Sequence, residues 1–516
     1  ELSRQLAERD ASLLLQGATL KAANYSLIDC VRERAEFEAL ATRLATELGE
    51  QDTACYRDGR RVVDLEEEVT SLRDAEAAAE EDPARIPEDT SGAAHGDADY
   101  LVYGDERTTY TEAHQKVAAL AAWLAAQGVT QHDRVAIAMR NYPEWMLSYW
   151  ATVASGAVCV GMNAWWVPDE MAYALKDSAP KVLICDVERL QRFQEIRDQF
   201  PDLIVVAVRV EGDLPEGVIS WDDVMATEPA LPEVSIDGDD DACIFYTSGT
   251  TGRPKGAQLT HRGCTNNVMS VAFASVLQLA VQAKASGAAA ANPFEGSGGG
   301  PQQAAIVATP LFHVTANNCL AQAMTAGGGK LVHMYKWDAG EALRLIEEER
   351  ITAFTGVPTM SRELLSHPDF ASRDTSSLAT MGGGGAPMQP DLVTKIDAQA
   401  GDSKPQQGYG MTEVCGIISA IGGSIYSARP RSAGMVVPVF DVKCIDNNGN
   451  AVDVGERGEV CVRGAQVIKG YLNRADATAE TIVDGWLHTG DIGYLDEEGF
   501  LYLVDRAKRS EEHTSE

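Results

Sequence analysis

Paired cysteines and an excess of basic charge are what this chain conspicuously lacks. Its ten cysteines are scattered with no Cys-x-x-Cys pair, so neither a disulfide framework nor a zinc site is suggested. Reduced thiols of this kind fit a cytoplasmic enzyme. Lys and Arg number 43 against 77 Asp and Glu, a net charge of -34. That balance argues against non-specific binding to nucleic acid or to an anionic membrane surface. A site for a polyanionic ligand must therefore supply its own local positive potential. The opening residues are charged and helix-favouring, so no signal peptide is expected. Hydrophobic residues make up 45% and aromatics 7%, ordinary for a globular protein. At 516 residues the chain exceeds one compact core, and roughly two to four structural units are expected.

Long charge-free runs are also scarce. Trp145 to Val167 is the stretch that tests a membrane reading, because it holds no charged residue and is long enough to span a bilayer. Gly156 and Gly161 interrupt it, and Ser148, Thr152, Ser155 and Asn163 lie within it. A buried helix (Trp145 to Ala154) turning at Gly156 into a buried strand (Ala157 to Gly161) accounts for it better. No transmembrane span is expected.

What is present centres on Tyr246 to Gly256, Y-T-S-G-T-T-G-R-P-K-G. An apolar run, Ala242-Cys243-Ile244-Phe245, precedes it and reads as a buried strand; a helix-like segment follows from Thr260. Strand, glycine- and hydroxyl-rich loop with one lysine, then helix is an arrangement that holds phosphate. Glycines let the backbone approach the anion, N–H groups and hydroxyls donate to its oxygens, and Lys255 neutralises charge. The spacing G-x-x-x-x-G-K-[ST] is absent, which excludes the ordinary P-loop.

This loop resembles the signature of the adenylate-forming superfamily, which includes acyl-CoA synthetases, aryl-CoA ligases, luciferases and peptide-synthetase adenylation domains. Further matching blocks in order extend the resemblance over roughly Ala93 to Lys508. The expected fold class is α/β: two stacked α/β subdomains plus a small β-barrel, preceded by a helical acidic segment. Residues 1–92 form that segment, with Phe37, Leu40, Leu44 and Leu48 on one helical face and Leu65, Val69 and Leu72 on another. It reads as an amphipathic segment with solvated acidic faces, or more sharply as a self-association element, although no heptad persists. Residues 93–240 are expected as the first α/β subdomain, 241–407 as the second and 408–508 as the barrel. Strand and helix alternate through the first. Antiparallel hairpins around Asn447-Asn448-Gly449-Asn450 and Gly455-Glu456-Arg457-Gly458 mark the last. Gly287 to Gln303 is low-complexity and reads as a surface loop.

The resemblance also implies a site. Thr247, Ser248, Gly249, Thr250, Thr251 and Gly252 would cradle the ATP phosphates beside Lys255. In Gly382-Gly383-Gly384-Gly385-Ala386-Pro387, residues Gly384, Ala386 and Pro387 would lie along adenine and the acyl pocket. In Gly408-Tyr409-Gly410-Met411-Thr412-Glu413, Tyr409 and Gly410 would hold adenine, Thr412 the α-phosphate, and Glu413 a Mg²⁺ ion, which suits a carboxylate beside a triphosphate. Asp491, in Trp486-Leu487-His488-Thr489-Gly490-Asp491, would accept the ribose hydroxyls, with Arg506 as a second ribose and phosphate contact. His313, after Pro310-Leu311-Phe312, would line the carboxylate end of the acyl pocket. The block ending Lys469-Gly470-Tyr471 is expected to be structural, part of the barrel.

A carboxylate is already nucleophilic near neutral pH, so adenylation needs placement and charge neutralisation rather than a general base. The implied function is ATP-dependent activation of a small-molecule carboxylic acid to its acyl-adenylate, then transfer to CoA as co-substrate. Trp165-Trp166 after Asn163 and the loop from His313 to Asn318 resemble the fatty-acyl branch. The alternatives are an amino-acid or aryl-acid adenylation domain, or an inactive nucleotide-binding fragment. The family continues past Asp505-Arg506-Ala507-Lys508 with a small domain of about a hundred residues, whereas residues 509–516 are polar throughout and look non-native. A truncated C-terminal domain is the expectation.

Overall fold

The computed structural model describes residues 96–247, 253–285 and 301–506. The acidic segment expected over 1–92, with its self-association, lies outside the described residues, as do most of 287–303 and everything beyond Arg506.

The fold is mixed α/β, built on two sheets. The first has eight strands, in the order Gly470–Tyr471, Lys255–Thr260, Asp241–Thr247, Val158–Gly161, Arg134–Ala138, Val182–Asp186, Ile204–Val208 and Val218–Ser220. From Asp241–Thr247 onward its strands run parallel. Parallel strands covered on both faces are apolar throughout rather than alternating, and Val182–Asp186 is accordingly buried at every position.

The Trp145 stretch folds as its glycines require. Pro143–Ala154 is a helix with proline in its first turn, and Val158–Gly161 is a wholly buried strand. Gly156 makes the turn between them at φ +68°, a conformation glycine adopts without the Cβ penalty. Among the described residues, His261–Val281 is the one helix with the length and apolar composition to cross a membrane. It continues directly from a strand of the first sheet and buries Cys264, Asn267 and Ser270, with 28% of its apolar window buried.

The second sheet runs from Phe440–Ile445 through Gly458–Gly464, Trp486–Leu495, Phe500–Arg506, Gly434–Val436 and Gly416–Gly422 to Lys404–Met411. From there it continues through Thr380–Gly383, Ala353–Gly356, Ala304–Val307 and Lys330–His333 to Asp99–Tyr103 and Glu106–Thr109. Its parallel half and the antiparallel hairpins after Gly408 therefore share one hydrogen-bonded order. The two sheets also interleave along the chain. Asp99–Tyr103 pairs with Lys330–His333, while Asp241–Thr247 pairs with Val158–Gly161. One apolar core joins the layers, with Val135, Ile137 and Phe245 from the first sheet and Leu101, Val307 and Leu331 from the second.

One local expectation is corrected. The phosphate-loop motif does not run straight into a helix, because Lys255–Thr260 is a strand that forms a hairpin with Asp241–Thr247, Thr247 opposite Lys255. Ala257 and Leu259 are buried in it, and its far edge is occupied by Gly470–Tyr471. The helix begins at His261, with the Thr260 hydroxyl accepting from Gly263 N at 3.0 Å in the manner of a helix cap. Gly470–Tyr471 thus belongs to the first sheet and not to the small antiparallel unit.

Candidate active site

The site is assembled at the places where the sheets meet. Thr247 and Lys255 stand opposite each other at the mouth of the hairpin, with Ser248, Gly249, Thr250, Thr251 and Gly252, outside the described residues, joining them. The start of the helix at His261 is separated from this loop by a whole strand. The helix N-terminus at His261 is therefore not at the loop, and Lys255 is the cation at its described edge.

Lys255 is paired with a residue that sequence reasoning had placed elsewhere. Its Nζ lies 4.2 Å from the ring centroid of Tyr471, within cation–π range. The Tyr471 hydroxyl donates to Glu413 Oε1 at 2.7 Å. Burial, reinforced by the Glu413 carboxylate, raises the phenol's pKa well above its ordinary value, so Tyr471 remains a donor. Glu413 sits in a single 3-10 turn, Thr412–Val414, closed by Cys415 in the left-handed region at φ +56°. Thr412 and Glu413 are both buried. The Glu413 carbonyl accepts from Ile468 N at 3.0 Å, and Leu472 N donates to Gly256 O at 2.8 Å. Segment 468–472 thus ties the Glu413 turn to the lysine hairpin. The only sequence signal for Tyr471 was the matching block it ends.

A second pair joins the strands Lys404–Met411 and Trp486–Leu495. Tyr409 donates its hydroxyl to Asp491 Oδ2 at 2.8 Å, and both side chains are buried. Asp491 N is held by Thr489 Oγ1 at 3.1 Å, and Thr489 is anchored on Val460 O at 2.8 Å. A carboxylate has about four acceptor positions, and the Tyr409 hydroxyl occupies one of those on Asp491. Arg506 stands directly across from Asp491 in the neighbouring strand, although its side chain lies outside the described residues.

The glycine run borders the same strand. A Cβ on Gly384 would come within 2.9 Å of Gly408 O, so this turn lies against the backbone beside Tyr409. Ala386 and Pro387 are exposed next to it. Gly382 and Gly383 serve the sheet itself, since a Cβ there would lie 1.9 Å from Gln406 O and 2.0 Å from Gly356 O. Gly410 is likewise required by its hairpin, where a Cβ would meet Gly416 O at 1.8 Å.

His313 stands apart from these groups. It caps the short helix Val314–Ala316, and its Nδ1 meets Thr315 Oγ1 at 3.1 Å. Its ring keeps an exposed edge while neighbouring protein crowds it, and that desolvation lowers its pKa below the usual histidine value. Among the described residues no hydrogen bond joins it to Glu413 or Asp491. The segment it starts does reach the Glu413 turn, where Asn318 Nδ2 donates to Cys415 O at 3.0 Å. Phe312 packs edge-on against Trp165 at 5.3 Å, and Trp165 is 53% exposed. Trp166 is instead buried against Tyr246.

Comparison with known proteins bears on what this arrangement does. The family described as AMP-binding enzyme matches residues 89–472. The chain is 34% identical over 410 residues to feruloyl-CoA synthase of an Amycolatopsis species, covering 79% of this chain and 75% of that protein. It is 32% identical over 431 residues to 4-coumarate–CoA ligase 2 of Oryza sativa subsp. japonica, covering 80% and 72%. Among solved structures, the fatty acyl CoA synthetase of Mycobacterium tuberculosis superposes with a TM-score of 0.65 at 28% identity, covering 80% of this chain and 75% of that one. The chain belongs to the AMP-binding enzyme family, among its adenylate-forming acid–CoA ligases.

Proposed function

We propose that this protein condenses an apolar monocarboxylic acid with ATP to give an acyl-adenylate and pyrophosphate, and then transfers the acyl group to the thiol of CoA. The observation that supports it best is the linked row Lys255, Tyr471 and Glu413, which sets a cation and a carboxylate on either side of one tyrosine at the mouth of the phosphate loop. Lys255 would face the phosphates, and Thr412 the α-phosphate. Asp491 and Arg506 would hold the ribose, with Tyr409, Gly410, Gly384, Ala386 and Pro387 around adenine. His313 would sit at the carboxylate end of the acid.

The donor set at Glu413 fits Mg²⁺. A hard cation that keeps its waters and the substrate's phosphates needs one or two carboxylates, and Tyr471 engages one oxygen of Glu413 while the other retains acceptor capacity. When bound, such a cation supplies charge neutralisation for the leaving pyrophosphate. The chain's own contribution is to orient the carboxylate oxygen in line with the α-phosphate and to keep it there.

For the acid, an aromatic propenoate of the hydroxycinnamate type is the first reading, supported by the names of the feruloyl- and coumarate-activating relatives. A fatty acid is the second, supported by the likeness to a fatty acyl CoA synthetase. Competing the two classes in one reaction with ATP, Mg²⁺ and CoA, and reading the thioesters by mass spectrometry, tests the order. Aromatic thioesters in excess support the first reading; fatty thioesters in excess reverse it.

A further inference from the structure

On the antiparallel strands, next to the segment that carries Asp491, three donors of different chemistry converge. Cys461 and His488 lie directly opposite each other on the strands Gly458–Gly464 and Trp486–Leu495. The register then shifts, so that Glu459 faces Ile492. The extra residues include Gly490 in the left-handed region at φ +70°, the behaviour of a β-bulge that re-aims side chains. The bulge brings Glu459 Oε2 to 3.0 Å from His488 Nδ1. A carboxylate oxygen, a thiol sulfur and an imidazole nitrogen then all lie within 4.8 Å of one another.

We propose that Glu459, Cys461 and His488 form a binding site for a divalent transition cation of zinc type. The ligand set is the argument. Sulfur, imidazole nitrogen and a single carboxylate oxygen suit a borderline-soft cation and not Mg²⁺ or Ca²⁺, which prefer oxygen throughout. Three protein ligands leave a fourth tetrahedral position for water. A carboxylate and a thiolate together balance a double positive charge. Ligands about 2.0–2.3 Å from a zinc ion lie about 3–4 Å from one another, so donors already within 4.8 Å of one another need only a small closure.

The surroundings are those of a supported site. Glu459 Oε1 accepts from Gly490 N at 3.0 Å, so the carboxylate is already oriented, the role outer hydrogen bonds play around metal ligands. Lys443 faces Cys461 across the next strand pair, but its ammonium rests 4.2 Å from the centroid of the Trp486 ring. Cys461 is fully buried while Glu459 and His488 are about a quarter exposed, which gives a cation an entry path. Binding of a cation would release the Cys461 thiol proton to solvent. Ligands contributed by two paired strands carry no Cys-x-x-Cys signature, so sequence spacing alone does not reveal them.

The site also touches the nucleotide side of the molecule. Glu459 holds the backbone of Gly490, the neighbour of Asp491, so one bulge links the three donors to Asp491.

The test is equilibrium dialysis of the full, metal-stripped chain against Zn²⁺ alone, without nucleotide, followed by Co²⁺ substitution. One Zn²⁺ per chain is expected, with affinity at least tenfold weaker in Cys461→Ala and in His488→Gln. The Co²⁺ form is expected to show a thiolate-to-cobalt charge-transfer band that Cys461→Ala lacks. Cys461→Ser, nearly isosteric, replaces the alanine variant if circular dichroism shows that variant unfolded. Equal Zn²⁺ affinity in the wild type and the folded variants, or a cobalt–thiolate band that survives without Cys461, overturns the proposal.

Discussion

Tyr471 donates its hydroxyl to Glu413 Oε1 at 2.7 Å while its ring carries the Lys255 ammonium at 4.2 Å. One side chain therefore sets the separation between a cation and an anion that, in the proposed function, would both face a triphosphate. Catalysis by placement depends on such spacing, because preorganised charges act without having to move during the reaction.

Tyr471→Phe separates the two contacts, since it keeps the ring under Lys255 and removes the donor to Glu413. A hydrogen bond to a charged group is worth roughly 1.5–3 kcal/mol. We expect adenylation to slow about tenfold with little change in KM for the acid. Initial rates at saturating ATP check this, and an unchanged rate removes Tyr471 from the site.

Asp491→Ala is expected to weaken ATP binding by roughly 1.5–3 kcal/mol, because the ribose loses a charged acceptor. Tyr409→Phe removes only the hydroxyl that donates to Asp491 Oδ2 and is expected to cost less than Asp491→Ala. Titration calorimetry with ATP ranks the two variants. Equal affinity in wild type and Asp491→Ala contradicts the ribose role.

Glu413→Gln keeps an oxygen for the Tyr471 hydroxyl and removes the charge. The expected result is a folded protein in which the Mg²⁺ concentration needed for half-maximal rate rises and the rate falls on the order of 10²-fold. A Mg²⁺ titration curve that coincides with that of the wild type excludes Glu413 as the cation's carboxylate.

Residue type alone suggests a phosphate partner for the loop of glycines and hydroxyls ending in Lys255, whereas the roles expected of Thr412, Glu413 and Asp491 come only from the family resemblance and stand here as proposals. Contacts set by remote pairing were not legible. Tyr471 reaches Lys255 through a strand of two residues, too short for alternation to register. Lys255–Thr260 was missed as a strand because Thr260 carries a helix-start signal and Lys255-Gly256 continues the loop's composition. The interleaving of the sheets was hidden for a related reason. Asp99–Tyr103 reads as half of a local hairpin, and nothing in its own residues shows that its other edge pairs with Lys330–His333.

His333 predicts a pH dependence of stability. It is buried at the end of strand Lys330–His333, and burial, with a smaller contribution from Arg209, lowers its pKa from 6.5 to about 3. Between these values the unfolded chain binds a proton that the folded chain refuses, so stability falls as pH drops below 6.5 and stops falling from this cause near 3. Between pH 7 and 5 the loss from this group is roughly 2 kcal/mol. His333→Leu lacks it, so the variant should gain on the wild type by about that amount in denaturant titrations over this range. Parallel pH profiles for the two proteins contradict the assignment.

The most direct test of the whole account is exchange of labelled pyrophosphate into ATP, because it reads acyl-adenylate formation without requiring the CoA step. With Mg²⁺ present, exchange is expected only when a carboxylic acid is added, to be strongest among apolar aromatic or fatty acids, and to fall in Glu413→Gln. Exchange that proceeds equally without any acid, or no exchange with any acid at concentrations where ATP binding is demonstrated by calorimetry, contradicts the claim that this site activates carboxylates.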